Sequence, residues 1–416
     1  MIIKARYLLL LLLCNLCVSC IAIEPEDYTT LFKCSRKLDK PYGICSHING
    51  RGLSAEFTTR DKDLAMIDSC GANFVRTNIW FEECRDSSGY LTLGHYNQMM
   101  ESVNQWKKNV LIIASMWNPR NISECDSVFP VIMNQYNEVK FWEIINEAHL
   151  VRKRIPGYGP KDYIDILKEG YRLVKKYSPK SKVLFTGVAP KEPIDNKFTD
   201  SSFVFGASNY FDIMNLHIYT TMSEPEVLYQ YLLKVSKLLK EYDVEKPVWI
   251  TETGYTSKGV KSVGEDIQAS RLARTYLISF ALGIDKVFWY KSRSSELAPN
   301  DREQYFGIWH KDYTPKPAYF AYQTLTKMCP DKATRPILHR KEDIYFASWK
   351  RADGNKVWAL WTSENKTIKA SLSISKKYEI YNLYGEKVNI VPSNAEISSS
   401  VLYIVGAKEV QIRSLN

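Results

Sequence analysis

The feature that most constrains this chain is a regular alternation of short β-rich runs with amphipathic stretches. After Pro41 such runs begin near residues 42, 73, 109, 139, 182, 211, 247 and 286, at intervals close to thirty-five residues. Parallel strands need a crossover between them, and a helical crossover produces a period of that size. Eight such units close a barrel, so the pattern predicts an α/β chain with a (β/α)8 TIM barrel over residues 41–330. The intervening helices carry the expected stripes: Leu228, Tyr231, Leu232, Val235, Leu238, Leu239 and Tyr242 lie on one face, as do Leu272, Ala273, Tyr276, Leu277 and Phe280. Stripes of that width pack against a sheet. Pro317 marks the first turn of the closing helix, which ends near Cys329-Pro330.

A different pattern follows. Ile344–Lys350, Lys356–Thr362, Thr367–Ile374, Glu379–Leu383, Lys387–Val391 and Val401–Val405 are short, β-rich and separated by turn signals such as Ala352-Asp353-Gly354-Asn355. They predict a small antiparallel β-sandwich over 335–416, with 21–40 as a linker or an edge of it. At the front, Lys4 and Arg6 precede the apolar run Leu8–Leu13, too short for a membrane span, so 1–20 reads as a secretory signal. Leu16-Cys17-Val18-Ser19-Cys20 resembles a bacterial lipoprotein processing site, with Cys17 where Leu is usual. On that reading Cys20 carries lipid and tethers an exported protein to a membrane at the cell surface or in the periplasm. Cleavage after Ala22 is the alternative.

Beyond the signal, Cys34, Cys45, Cys70, Cys84, Cys125 and Cys329 form no CxxC pair and have no His partner at zinc spacing, so no metal site is expected. Export permits disulfides, and Cys84 and Cys125, both expected in loops on one side, are the pair to consider. The formal charge of +10 comes from scattered lysines and not from one basic block. It indicates a solvated surface, not a nucleic-acid partner. Sequons at Asn121 and Asn365 matter only in a eukaryotic secretory pathway.

Barrel active sites sit at the carboxyl ends of the strands, which makes the polar residues there the candidates. The fourth run, Phe141-Trp142-Glu143-Ile144-Ile145-Asn146-Glu147, is apolar until it ends in an amide and a carboxylate; the seventh, Val248-Trp249-Ile250-Thr251-Glu252, ends likewise. These ends lie across the barrel mouth from one another. Hydrolysis of a glycoside with retention requires two carboxyl groups about 5 Å apart, one protonating the leaving oxygen and one attacking the anomeric carbon. At period two the second run presents Arg76, Asn78 and Trp80, and the sixth presents Asn215, His217 and Tyr219. Asn146 suits a sugar hydroxyl, Arg76 and Tyr219 can hold a nucleophile ionised, and Trp289 on the eighth run can floor a pyranose ring. Arg76 can equally pair with Glu143. Trp80 and Trp117 are candidate sugar platforms, and His47 on the first run is a supporting group. Nothing orients Cys45 and His47 as nucleophile and base. The chemistry needs neither a metal nor an organic cofactor.

Asn146-Glu147, Glu252 followed by Thr253-Gly254-Tyr255, Asn215-x-His217-x-Tyr219 and Trp289 together resemble the retaining (β/α)8 glycoside hydrolases of clan A, families five and thirty-nine above all. Gly71-Ala72-Asn73-Phe74-Val75-Arg76 with Trp80 and Gly89-Tyr90, and Phe306-Gly307-Ile308-Trp309 through Thr314-Pro315-Lys316-Pro317-Ala318-Tyr319, extend the resemblance over residues 41 to about 328. It implies Glu147 as acid/base, Glu252 as nucleophile and a β-linked poly- or oligosaccharide as substrate. Ala148-His149 stands where these families usually have Pro, and Lys291-Ser292-Arg293 where an acidic loop is common; both departures are expected to touch the sugar subsites. The alternative is a surface lipoprotein that binds carbohydrate on the same scaffold without catalysis.

Overall fold

A computed structural model describes residues 27–50, 59–189, 193–363, 366–375 and 377–415. The proposed signal with Cys20 and the sequon at Asn365 lie outside the described residues. Eight parallel strands form one sheet: β1 (Tyr42–Cys45), β2 (Phe74–Trp80), β3 (Asn109–Ser115), β4 (Phe141–Ile144), β5 (Lys182–Leu184), β6 (Met214–His217), β7 (Val248–Thr253) and β8 (Lys286–Tyr290). Their order is β5-β4-β3-β2-β1-β8-β7-β6. Parallel bridges from Leu184 to Ile213 and from Val188 to Leu216 join the two ends, so the sheet closes as a barrel. The crossovers are α1 (Arg60–Ser69), α2 (Gly94–Gln105), α3 (Ile122–Gln135), α4 (Pro160–Tyr177), α5 (Pro193–Val204), α6 (Leu228–Glu241), α7 (Glu265–Ala281) and α8 (Pro317–Met328). Proline stands at the first turn of α4 and of α8, where its missing N–H costs nothing.

Two cores follow from strand alternation. Outward residues such as Ile44, Val75, Ile112, Ile144, Ile250 and Trp289 pack beneath the helices. Inward residues Phe74, Leu111, Leu184, Ile213, Trp249 and Phe288 fill the barrel from below. The rings of Phe74, Trp249 and Phe288 lie about 6 Å apart, so the lower barrel is solid and whatever the barrel binds must enter at its upper end.

The C-terminal region is antiparallel, with β9 (Ile337–Lys341), β10 (Ile344–Lys350), β11 (Lys356–Thr362), β12 (Ile368–Ile374), β13 (Glu379–Tyr381), β14 (Ala395–Ile397), β15 (Leu402–Val405) and β16 (Val410–Ser414). One sheet runs β9-β10-β11-β15-β13, with Asp27–Tyr28 as an added edge strand on β9; β14-β12-β16 form the other. The expected strand Lys387–Val391 is irregular apart from a bridge between Lys387 and Tyr381; Val391 is exposed and Pro392 opens a short 3-10 turn. The larger sheet packs on the barrel through Trp349, whose Nε1 donates to the Met328 carbonyl at 2.7 Å, and Trp361, whose Nε1 donates to Glu226 at 2.8 Å.

Cys84 and Cys125, the pair considered for a disulfide, are not bridged. Both are free buried thiols, and Cys125 sits inside α3, not in a loop. Burial pushes the Cys84 thiol up to about 12, far from the reactive thiolate.

Candidate active site

Above the aromatic floor the barrel interior turns polar. Arg76, inward on β2, is 3% exposed and reaches β4, β6 and β7, with Nη2 3.2 Å from His217 Nε2 on β6. Its Nε and Nη2 donate to the two oxygens of fully buried Glu143 on β4 at 2.9 and 3.0 Å, Nη1 donates to Glu252 Oε1 at 2.5 Å, and Nη2 also donates to Asn146 Oδ1 at 2.7 Å. A guanidinium fork suits this because its donors lie in one rigid plane. Both pairings anticipated for Arg76, with Glu143 and with the strand-seven carboxylate, are therefore present together.

Glu147 and Asn146 reach the mouth by a break in the backbone. Strand β4 stops at Ile144, and Ile145 (φ 63°) and Glu147 (φ 43°) both adopt left-handed conformations. A β-branched residue there is strained by about 1–3 kcal/mol, and such strain collects at functional sites. The break turns Ile145 into the outer core and directs Asn146 and Glu147 into the cavity. Glu252 arrives by a similar device. The register of β6 against β7 shifts at Leu216/His217, and that of β7 against β8 between Ile250 and Thr253. Thr251 and Glu252 then both face inward: the Thr251 hydroxyl donates to Asn215 Oδ1 at 2.5 Å, while Glu252 lines the cavity.

Glu252 is 9% exposed, and its Oε2 accepts from the Tyr219 hydroxyl at 2.7 Å. Burial pushes its carboxyl up, but His217, Arg76 and the Tyr219 hydrogen bond outweigh that and hold it well below the ordinary carboxylate range. His217 lies just beneath the cavity, 1% exposed, with Nδ1 3.1 Å from Glu147 Oε1 and 3.6 Å from Glu252 Oε2, and Nε2 3.1 Å from Thr251 Oγ1. Burial works against its protonation, while the charge of Glu252 and the hydrogen bond to Glu147 raise it overall. Gly187 makes room for this ring: a Cβ there would stand 2.1 Å from His217 Nε2.

Oxygens of Glu147 and Glu252 and a nitrogen of His217 all lie within 4.8 Å of one another. Among the described residues this is the group able to offer three metal ligands. Its chemistry disfavours a cation, since Glu252 already accepts from Arg76 and Tyr219 and a guanidinium occupies the adjoining space.

The cavity has a volume of about 510 Å³, and its lining includes His47, Arg76, Asn78, Asn146, Glu147, Tyr219 and Glu252. Burial and the neighbouring Lys291 push His47 down to about 4, so it is neutral at pH 7. Cys45 also lines the cavity, but burial drives its thiol pKa far up and its Sγ donates to the Thr251 carbonyl at 3.2 Å, which excludes it as a nucleophile. Trp289 does not floor the cavity. It is fully buried in the outer core, its Nε1 3.4 Å from the Phe306 carbonyl, because alternation on β8 sends Phe288 and Tyr290 inward. Tyr290 and Phe306 supply the aromatic wall instead. Trp80 and Trp117 stand outside the cavity with ring centroids 5.1 Å apart. Ala148 and His149 do not touch it either: the Ala148 N–H donates to Thr186 Oγ1 at 2.8 Å and His149 packs by Phe198. Lys291 is likewise buried outside the lining, with Nζ 3.2 Å from Ser295 Oγ.

Sequence reasoning missed Arg302 and Glu303, which line the cavity from a short turn, Arg302–Gln304, in the loop after β8. The available signal was a cluster of charges in a long loop at the catalytic end of the barrel.

No family model matches the chain, and no curated protein matches it. Solved structures do. A family 39 glycoside hydrolase from the gut symbiont Bacteroides cellulosilyticus WH2 shares 20% identity at a TM-score of 0.70, covering 89% of this chain and 81% of that one. A monomeric β-xylosidase from Caulobacter crescentus CB15 shares 11% at 0.65, covering 92% and 98%. The catalytic domain of the family 30 xylanase C from Talaromyces cellulolyticus shares 12% at 0.59, covering 92% and 99%. At such identities the likeness is one of fold.

Proposed function

We propose that this chain is a retaining glycoside hydrolase acting on a β-linked poly- or oligosaccharide, with Glu147 as acid/base and Glu252 as nucleophile. The observation that carries the reading is the approach of the Glu147 and Glu252 oxygens to within 4.8 Å of each other, from opposite strand ends, in a cavity open to solvent at the catalytic end of the barrel. Retaining glycosidases use carboxyl groups about 5–5.5 Å apart, whereas inverting enzymes leave about 6.5–9.5 Å for a water.

In the first displacement Glu147 gives its proton to the glycosidic oxygen as Glu252 attacks the anomeric carbon; the leaving sugar departs and an ester to Glu252 forms. In the second, Glu147 takes a proton from water, whose oxygen attacks the same carbon and frees Glu252, so the configuration is retained. Arg76 and Tyr219 hold Glu252 ionised and aimed. Asn146, fixed by Arg76, offers its amide N–H to a sugar hydroxyl. Tyr290, Phe306 and neutral His47 provide ring contacts and hydrogen bonds around the sugar. Export, with lipid on Cys20 holding the enzyme at a bacterial surface, completes the proposal.

The test is a screen against 4-nitrophenyl β-glycosides and β-linked polysaccharides with the native chain and Glu252→Ala. Turnover should fall at least about a thousandfold in the variant, and a 2-fluoro glycoside should label Glu252. Unchanged turnover in Glu252→Ala would refute the assignment. Covalent labelling of Glu252 would exclude a binding protein without catalysis.

A further inference from the structure

The wall of the cavity is continued outward by the ends of β2 and β3. Asn78 lines the cavity and donates from Nδ2 to Ser115 Oγ at 2.8 Å. Two residues further along β2, Trp80 ends the strand on the same face as Asn78, and Trp117 follows two residues after the end of β3. Two residues of strand span ~6.6 Å, about the length of one sugar ring. Trp80 is half-buried, Trp117 is 52% exposed, and their rings meet tilted, with centroids 5.1 Å apart and an interplanar angle of 34°.

The main chain that carries this exposed ring is firmly held. The Trp117 N–H donates to Glu82 Oε1 at 2.5 Å. Arg154 caps both this residue and the one before it, donating from Nε to the Trp117 carbonyl and from Nη2 to the Met116 carbonyl, each at 3.0 Å. The Trp80 N–H donates to the Tyr96 hydroxyl at 2.9 Å. An exposed indole costs hydration free energy, and one whose main chain is held at these points and whose ring lies against Trp80 is already placed when a flat apolar face settles on it.

We propose that the Trp80–Trp117 pair is a sugar-binding platform one unit beyond the catalytic cavity, so that the substrate is a chain of at least two sugars crossing the Asn78–Ser115 wall onto Trp117. A pyranose suits it because the axial C–H face is apolar while the ring edge carries hydroxyls, and Asn78 and Ser115 are the polar groups beside that edge. The inference rests on reading the cavity as a sugar site, but it concerns binding and is tested by binding.

Glu252→Gln, which leaves ligands uncut, is titrated by calorimetry with xylo-, cello-, laminari- and gentio-oligosaccharides of two to six units and with their monosaccharides. In at least one series the oligomers should bind more tightly than the monosaccharide. Adding Trp117→Ala should weaken that oligomer at least about tenfold while leaving the monosaccharide unchanged, and Trp117→Phe should restore most of the difference. Equal oligomer affinity with and without Trp117→Ala overturns the platform, as does the absence of any gain over the monosaccharide in every series. Failure of catalysis would show separately, as turnover indifferent to Glu252→Ala.

Discussion

Tyr219→Phe removes one hydroxyl group from the site and isolates what holds the proposed nucleophile ionised. The Tyr219 hydroxyl donates to Glu252 Oε2 at 2.7 Å, while the ring itself is seated edge-on against Tyr290 and Phe306 at 6.1 and 5.7 Å. Phenylalanine keeps the ring contacts and deletes only the donor. A hydrogen bond to a charged acceptor contributes about 1.5–3 kcal/mol, and one pKa unit corresponds to about 1.4 kcal/mol, so its loss should raise the Glu252 pKa by roughly one to two units. The lower end is expected because Arg76 still donates to Oε1 and His217 Nδ1 lies 3.6 Å from the vacated Oε2. In the proposed role Glu252 attacks as the carboxylate, and its pKa is depressed, so activity tied to its ionisation is present above that pKa and is lost as pH falls through it. Raising the pKa moves this acid limb upward. The pH profile of kcat/KM on an aryl β-glycoside should therefore show its acid limb about one unit higher in Tyr219→Phe. An acid limb that stays in place while the rate falls would mean that Tyr219 only shapes the cavity, and a shift downward would refute the electrostatic account.

The buried pair beneath the site makes a stability prediction. Glu143 is fully buried and takes both oxygens of its carboxylate to Arg76, so Glu143→Ala leaves a buried guanidinium half-compensated and should cost about 3–5 kcal/mol in urea unfolding; a loss under about 1 kcal/mol would overturn this. Every described cysteine is a free thiol, so dithiothreitol should leave the Tm unchanged and Cys84 and Cys125 should both react with an iodoacetamide probe once the chain is denatured without reductant; protection of the two together would restore a disulfide.

Period carried the sequence reading a long way because a closed parallel barrel repeats, and each repeat leaves the same mark on the chain. Phase was harder to read. Phe288-Trp289-Tyr290 is apolar throughout, and in such a run nothing local says which alternate residues face inward, so Trp289 was assigned the place that Tyr290 holds. Glu147 and Glu252 were legible as strand ends, yet both depend on departures from strand geometry, left-handed turns after β4 and register shifts around β7, that carry no composition signal. Ala148 and His149 were expected at the subsites because they follow Glu147 in sequence. The left-handed turn sends the chain into a buried 3-10 helix there, and adjacency in sequence stops implying adjacency in the site. Val410–Ser414 alternates cleanly and forms a strand, whereas Lys387–Val391 has β-rich composition but opens toward solvent ahead of Pro392.

One guanidinium serves two carboxylates in this barrel, and that shapes the proposed chemistry. Arg76 is bound bidentately by Glu143, so its positive charge is already matched before Glu252 draws on it. The charge on Glu252 is then partly left for His217, whose nitrogen faces both Glu252 and Glu147. In a double displacement the Glu252 charge disappears when the ester forms, and with it the largest influence that favours a proton on buried His217. The imidazole proton is then held chiefly through Glu147, which in that step must be the carboxylate that receives a proton from water. In the proposed mechanism Glu143 would bear on both steps without touching the sugar, by engaging Arg76 bidentately so that the guanidinium does not neutralise Glu252 outright.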